Sequence, residues 1–416
     1  MTPRDLRNTT INIVGESIWM FQASMIAPTT VLAVLLHSLG AGETMVGSIS
    51  SVEGGLMVAP QIIGNYLFHS RRHRKRHMML WHFLAMIPCL LGLAAMANPA
   101  MGLSPEFRRW GLLTCFAMFM FTMGVVTPAW LDWIAHIFGV GRRGTVMGLT
   151  WCVAAASSVA GPQIAGWAIN TWPGMGTYSW LYFCASLIAY ASITLFCFMD
   201  DHQAKDAGPT SPPQLGELIV KFRQSLADRN FRAFLVGRLL AMAGFCMLPL
   251  VVLHYTSAEG GSMSEGDVIR FSGTAGAIGM AAAGLLLGRV GDKHGHRIGV
   301  LAGAGFQVAV LAVLLTTRGS WSCMAAYFLT GACVASAAVS YANMIFETCP
   351  HENRMAHITV ANTIVSAAAI GAPLAAGMTA SAVGIRPLFA ICLAFSVLAL
   401  AWFILRVKEP RDTKLA

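Results

Sequence analysis

Apolar runs of twenty or more residues recur along this chain, separated by short polar stretches. Runs of that length cross hydrocarbon. Hydrocarbon offers backbone N–H and C=O groups no partner, so each run is expected to be a helix. Twelve spans are read, six in each half. The first six cover 11–38, 44–69, 78–97, 110–138, 145–170 and 179–199. The second six cover 231–255, 267–290, 298–317, 321–347, 358–382 and 387–407. Composition agrees, with 56% hydrophobic and 11% charged residues in 416, against about 25% charged in a soluble domain. The first run is too long for a signal h-region, so no cleavable leader is expected. The ten cysteines are scattered and read as small buried residues, not as a disulfide framework.

Placement of Lys and Arg sets the sidedness. With both termini cytoplasmic, the inside segments hold 22 of the 28 basic residues, and four (Arg108, Arg109, Arg318 and Arg386) lie outside. The other two, Arg238 and Arg270, fall within spans. This split accounts for the net charge of +9 without a nucleic-acid partner. A bacterial inner membrane with N- and C-termini inside is the expected location.

Residues 200–229 interrupt the pattern. Acids, glycine and prolines open the segment as a linker. Leu215, Leu218, Ile219, Phe222 and Leu226 then take the spacing of a short amphipathic helix on the cytoplasmic face. The domains are therefore read as 1–199, a linker 200–229 and 230–416.

The halves repeat. At a shift of 222, Arg7, Asn8, Val14, Gly15 and Met20 meet identical residues at 229, 230, 236, 237 and 242. At a shift of 211, Arg143 and Pro162 meet Arg354 and Pro373, Trp130 meets Tyr341, and Asp132 meets Asn343. Two matches in the same order indicate duplication.

The stretch GRVGDKHGHRIG at 288–299 lies on the inside after a span. A phosphate-cradling loop needs a preceding strand, so it is read as a turn between helices. Its Gly288, Gly291, Asp292, Lys293, Gly295 and Arg297 resemble the signature turn of the major facilitator superfamily, between the second and third helix of a half; His296 replaces a usual basic residue. AGPQIAG, around Gly161 and Pro162, resembles that family's glycine–proline motif on helix 5. GRRGTVMG and HENRMAH resemble its basic turns after helices 4 and 10. The resemblance spans nearly the whole chain. It implies an all-α membrane protein of two pseudo-symmetric six-helix bundles around a central cavity that opens to each side in turn. The N-terminal copy of the turn, GNYLFHSRRHRKRHM, keeps Gly64 and the basic run but has no aspartate. A latch built on that aspartate would rest on the C-terminal half alone. Asp292 can meet the amino end of a neighbouring helix, where the dipole favours an anion.

Ionisable groups within spans are costly and mark function. Glu16, Asp132 and Arg238 lie a turn or two from the cytoplasmic edge, and Glu53 lies near mid-depth. Glu16 and Arg238 are repeat-equivalent, as are Asp132 and Asn343. The resemblance places helices 1, 4, 7 and 10 around the cavity, so these four would ring its cytoplasmic mouth. Arg238 is expected to pair with Glu16 or Asp132 when the inside is closed. A static pair or snorkelling side chains are the plainer readings. Glu53 has no acidic repeat partner, and Gly54 and Gly55 beside it admit close helix approach. It suits a proton carrier, or equally a carboxyl hydrogen-bonded inside its bundle. Glu347 is expected to pair with Arg289 or Arg297 as a structural or gating contact. Gln22, Trp130 and Tyr341, with Trp19 and Asn362, are candidate cavity residues; packing roles serve as well.

His69, His73 and His77 repeat every four residues, which could suit a metal. Arg72, Lys75 and Arg76 interleave with them, so a basic face against anionic lipid is the better reading. No Walker A sequence occurs, so neither ATP nor any other cofactor is expected. The chain reads as a monomeric secondary transporter of a small solute, coupled to protons. Metal ions, iron among them, and drugs stay within that reading. A non-transporting receptor or assembly partner is the rival, and no enzyme site is visible.

Overall fold

The computed structural model describes residues 3–68, 73–138, 140–201, 226–348 and 354–410. Among these every regular element is helical. In chain order the spans are α1 (Pro3–Ser38), α2 (Glu43–Val58 and Gln61–Leu67), α3 (Arg74–Ala97), α4 (Pro105–Ile137), α5 (Val140–Thr171), α6 (Met175–Cys197), α7 (Arg229–Thr256), α8 (Glu265–His294) and α9 (Arg297–Thr316). They continue with α10 (Gly319–Ser336, then Ala337–Tyr341 and Ala342–Thr348), α11 (Arg354–Val383) and α12 (Ile385–Arg406). Among the described residues eleven helices are long and apolar enough to cross a membrane. The twelfth, α2, was expected as one span and is instead broken at Ala59–Pro60. Proline removes a backbone donor and its ring crowds the preceding turn, which ends the first piece there.

Local chemistry sets several helix starts. Ser104 Oγ accepts from Phe107 N at 3.3 Å ahead of Pro105 and Glu106, and Asp228 Oδ1 accepts from Phe231 N at 2.7 Å. Both satisfy donors that a first helical turn leaves open. Three spans contain a π-turn, at Pro28–Leu32, His82–Met86 and Ala337–Tyr341. The nine described cysteines are free thiols.

The chain divides into two units. The first comprises Met1–Ala41, Val52–Thr210 and Glu265–Gly273; the second comprises Gly42–Ser51, Ser211–Ser264 and Thr274–Ala416. The first turns of α2 thus belong to the second unit, and those of α8 to the first. Of the linker read as 200–229, residues 202–225, with all of its amphipathic stretch but Leu226, lie outside the described residues, as do His69 and the side chains of Arg142, Arg143 and Arg354.

Within the units the repeated residues make the same contacts twice. Asn8 Nδ2 donates to the Asp200 carbonyl at 2.9 Å, and Asp200 N donates back to Asn8 Oδ1 at 2.9 Å. Asn230 does the same with Lys408, at 3.0 and 2.8 Å. Each asparagine clamps the first helix of its half to the chain leaving the last. Gly15 packs against the Phe196 ring of α6, and Gly237 against the Phe403 ring of α12. The conserved spacing of these residues across the two halves therefore has a packing origin.

Candidate functional site

Two adjoining cavities lie within the first unit, of 410 and 280 Å³. They share Trp19, Met20, Met57 and Met123 in their linings. The larger adds Gln22, Glu53, Ser158 and Tyr182 to an apolar wall of Phe116, Phe119 and Met120. The smaller adds Glu16, His82, Trp130, Thr150 and Ser192. Among the described residues no Lys or Arg lines either one.

Gln22 is fully buried, and neither of its amide atoms has a hydrogen-bond partner. The hydroxyl of the buried Tyr182 has none either. Buried polar groups are ordinarily satisfied; in the same unit Asn12 Oδ1, Arg109 Nε and Trp133 Nε1 also lack a partner among the described residues, but none of them lines these cavities. No described residue pairs with Glu53. Glu16 accepts from Trp130 Nε1 at 3.1 Å. The Trp130 ring lies edge-on to Phe196 at 4.6 Å and packs on His82 at 5.6 Å and Trp133 at 5.4 Å. His82 Nδ1 sits 2.7 Å from the Met78 carbonyl. A carbonyl only accepts, so Nδ1 is assigned the hydrogen and Nε2 is left as an acceptor.

Asp132 meets a cation from its own unit, pairing with Arg74, and lies 3.4 Å from His136 Nδ1. Arg74 belongs to the N-terminal basic run, and it also donates to the Phe68 carbonyl at 3.0 Å. In the second unit the Arg238 guanidinium lies over the rings of Tyr341, at 5.3 Å, and Phe234, at 5.9 Å. Its Nε has no partner. Asn343 Nδ2 donates to the Val339 carbonyl at 2.8 Å, within α10. The two halves thus repeat one contact with opposite sign. Glu16 meets Trp130 in the first; their equivalents Arg238 and Tyr341 meet in the second. A carboxylate takes the indole N–H edge, whereas a guanidinium takes the ring face.

The signature turn is a tight reversal. Gly295 has φ +88° between α8 and α9, a conformation that side chains resist. A Cβ there would also strike the Glu409 carboxylate. Glu409 accepts from Arg297 N at 3.1 Å, capping α9. The Arg297 side chain in turn donates to the carbonyls of Val407 at 2.7 Å and Ile404 at 2.9 Å, capping α12. Asp292 lies 4.0 Å from His296 Nε2, and Gly288 and Lys293 sit on the last turns of α8.

A further equivalence appears at the starts of α2 and α8. Thr44 N donates to Ser381 Oγ at 3.1 Å, and Ser381 Oγ donates to Glu43 at 3.3 Å. At the equivalent positions, Gly266 N donates to Asn170 Oδ1 at 3.2 Å. Glu265 accepts from Tyr178 at 2.8 Å and Asp267 from Asn170 at 3.1 Å. Gly377 and Gly166, also equivalent, face the backbone of Thr44 and Gly266. Each clasp lies inside one unit. Arg270 joins the second through Gln163, with Nε 3.1 Å from Oε1.

Sequence reading singled out Glu16, Glu53, Gln22 and Trp130, which the structure places along the two cavities. It missed His82 and Tyr182. A histidine inside an apolar run was a visible signal for the first; a tyrosine among many aromatics was not. It also missed the clasps, although Glu43 and Glu265 sit at the 222 shift.

Ionisable groups held inside apolar helices mark ion or substrate pathways, as they do in solute carriers. The chain matches the Major Facilitator Superfamily over residues 14–266 and 263–416 and belongs to that family. It is a multi-pass transporter of small solutes, not an enzyme. No curated protein matches it. Among solved structures it is similar to a bacterial homolog of the human lysosomal transporter Spinster, at 12% identity and TM-score 0.67, covering 98% of this chain and 97% of that one. It is similar to the nucleoside transporter NupG at 9% identity and TM-score 0.69, covering 97% and 98%. A D-xylose–proton symporter matches at 14% identity and TM-score 0.66, covering 98% and 99%. These likenesses establish the fold.

Proposed function

We propose that this protein carries its solute by alternating access, driven by protons, with Glu53 as the group that takes and releases the proton. One observation carries the reading: Glu53 lines a cavity whose wall holds no basic residue and in which no described residue pairs with it. A carboxyl so placed costs free energy to keep charged and answers to whatever enters the cavity. The two clasps support the conformational part. They are small, polar and repeat-equivalent, so they can part and re-form together. The basic-residue asymmetry supports a cytoplasmic membrane with both termini inside, and the chain is taken to act as a monomer.

The test is counterflow and pH-gradient-driven flux in proteoliposomes, with candidate solutes from a thermal-shift screen. Glu53→Gln should abolish acceleration by the pH gradient in protein that still folds, as read by its thermal melt. Gradient-driven flux at the unmodified rate in that variant would remove Glu53 from the coupling step.

A further inference from the structure

We propose that the joined cavities of the first unit bind an organic ammonium ion, a cationic nitrogen carried on a flat or alkyl apolar body. The site names a substrate class for the transport reading above and rests on that reading only in so far as the bound ion is carried across.

Charge is the first reason. The titratable groups in the linings are Glu16, Glu53, His82 and Tyr182, and no Lys or Arg accompanies them. An anionic solute would meet two carboxyls and no counter-charge. The second reason is the wall itself. Trp19, Trp130, Phe116 and Phe119 offer ring surfaces, and ring faces attract a desolvated cation. Methionine thioethers fill the remaining wall with soft, adaptable surface. A polyhydroxylated neutral solute would find too few partners on such a wall. A hard metal ion would lose its water shell without gaining an oxygen cage; among the described residues no three His, Cys, Asp or Glu side chains gather.

Unpartnered polar atoms are the third reason. Gln22 is fully buried, lines the larger cavity and has no partner for either amide atom among the described residues, and the Tyr182 hydroxyl of the same lining has none either. Their oxygens can accept N–H groups of an ammonium, as can His82 Nε2 in the adjoining space. The 410 Å³ volume falls within the range of about 300–1,000 Å³ that holds drug-sized ligands. The repeat supplies a contrast. The position equivalent to Glu16 is Arg238, which occupies its own aromatic faces in the second unit. The first unit's cation site is therefore not duplicated there. Occupant and proton compete for the same carboxyls, and that competition makes an exchange of one for the other.

Three probes that share a phenyl ring test the site on the purified full chain: phenethylammonium, 3-phenylpropanol and 3-phenylpropanoate. Binding is read by tryptophan fluorescence, since Trp19 and Trp130 line the cavities. The cation should bind about tenfold or more tighter than the alcohol, and the carboxylate weakest of all. Cation affinity should fall as pH is lowered, with the alcohol unaffected. Glu53→Gln should erase the preference for the cation and keep alcohol binding, which also reports folding. If that variant does not fold, Glu16→Gln is read the same way. Equal binding of cation and alcohol by the unmodified protein overturns the proposal, as does a cation preference that survives both substitutions. Selective cation binding without pH-driven flux would sink the transport reading and keep the site. Proton-coupled flux without cation preference would do the reverse.

Discussion

Asn8 and Asn230 carry two reciprocal hydrogen bonds each to the main chain beyond α6 and α12. Replacing Asn8 by alanine removes both of its bonds and strands two part-buried backbone groups, at a cost of about 1–3 kcal/mol, whereas the Asn230 bonds are exposed to water and their loss costs less. Asn8→Ala and Asn230→Ala should each lower the melting temperature of the purified protein. The double variant should lose close to the sum, because the sites share no partner. Gly295→Ala forces a side chain into φ +88°, which costs about 1–2 kcal/mol before the Glu409 clash is added. A thermal melt unchanged by that substitution would mean the turn relaxes freely. Of these residues, the repeated asparagine was visible in the sequence as a match. Its role was not, because its partner is a main-chain group some two hundred residues away. Glu16 and Glu53 were legible for a simpler reason: a charge inside an apolar run needs no partner to be noticed.

At the scale of elements, the clasps at the starts of α2 and α8 are the contacts most open to test. In a chain with its native cysteines replaced, Thr44→Cys with Ser381→Cys should cross-link on oxidation, since the two hydroxyls stand 2.9 Å apart. The cross-link should stop flux, and reduction should restore it. Full transport by the oxidised protein would show that this clasp need not open. Asn170→Ala should weaken the other clasp, leave the fold intact and shift the balance of conformers, read as a change in solute flux by protein that still melts cooperatively. Helix existence was readable from apolar length, and Pro60 could have announced the break in α2. The π-turns had no sequence mark, because they record how a helix yields to its neighbours.

For the whole molecule, the proposed sidedness rests on Lys and Arg rather than on any contact. A periplasmic-type reporter fused after Gly102 or Gly174 should be active, and a cytoplasmic-type reporter fused after Arg406 should be active. The reverse pattern would invert the topology. The same asymmetry explains the basic pI without a polyanionic partner.

Helix order and the internal duplication were legible in the sequence alone, and the proposed orientation rests on it, since apolar length, charge placement and residue identity are local properties of a chain. Which groups meet was decided only in three dimensions. Asp132 lies with Arg74, Glu16 with the Trp130 indole, and Arg238 on the Tyr341 ring. Each pairing depends on the rotation and depth of two packed helices. A shift of one residue turns a helix by about 100°, so no count of residues along the chain can supply it.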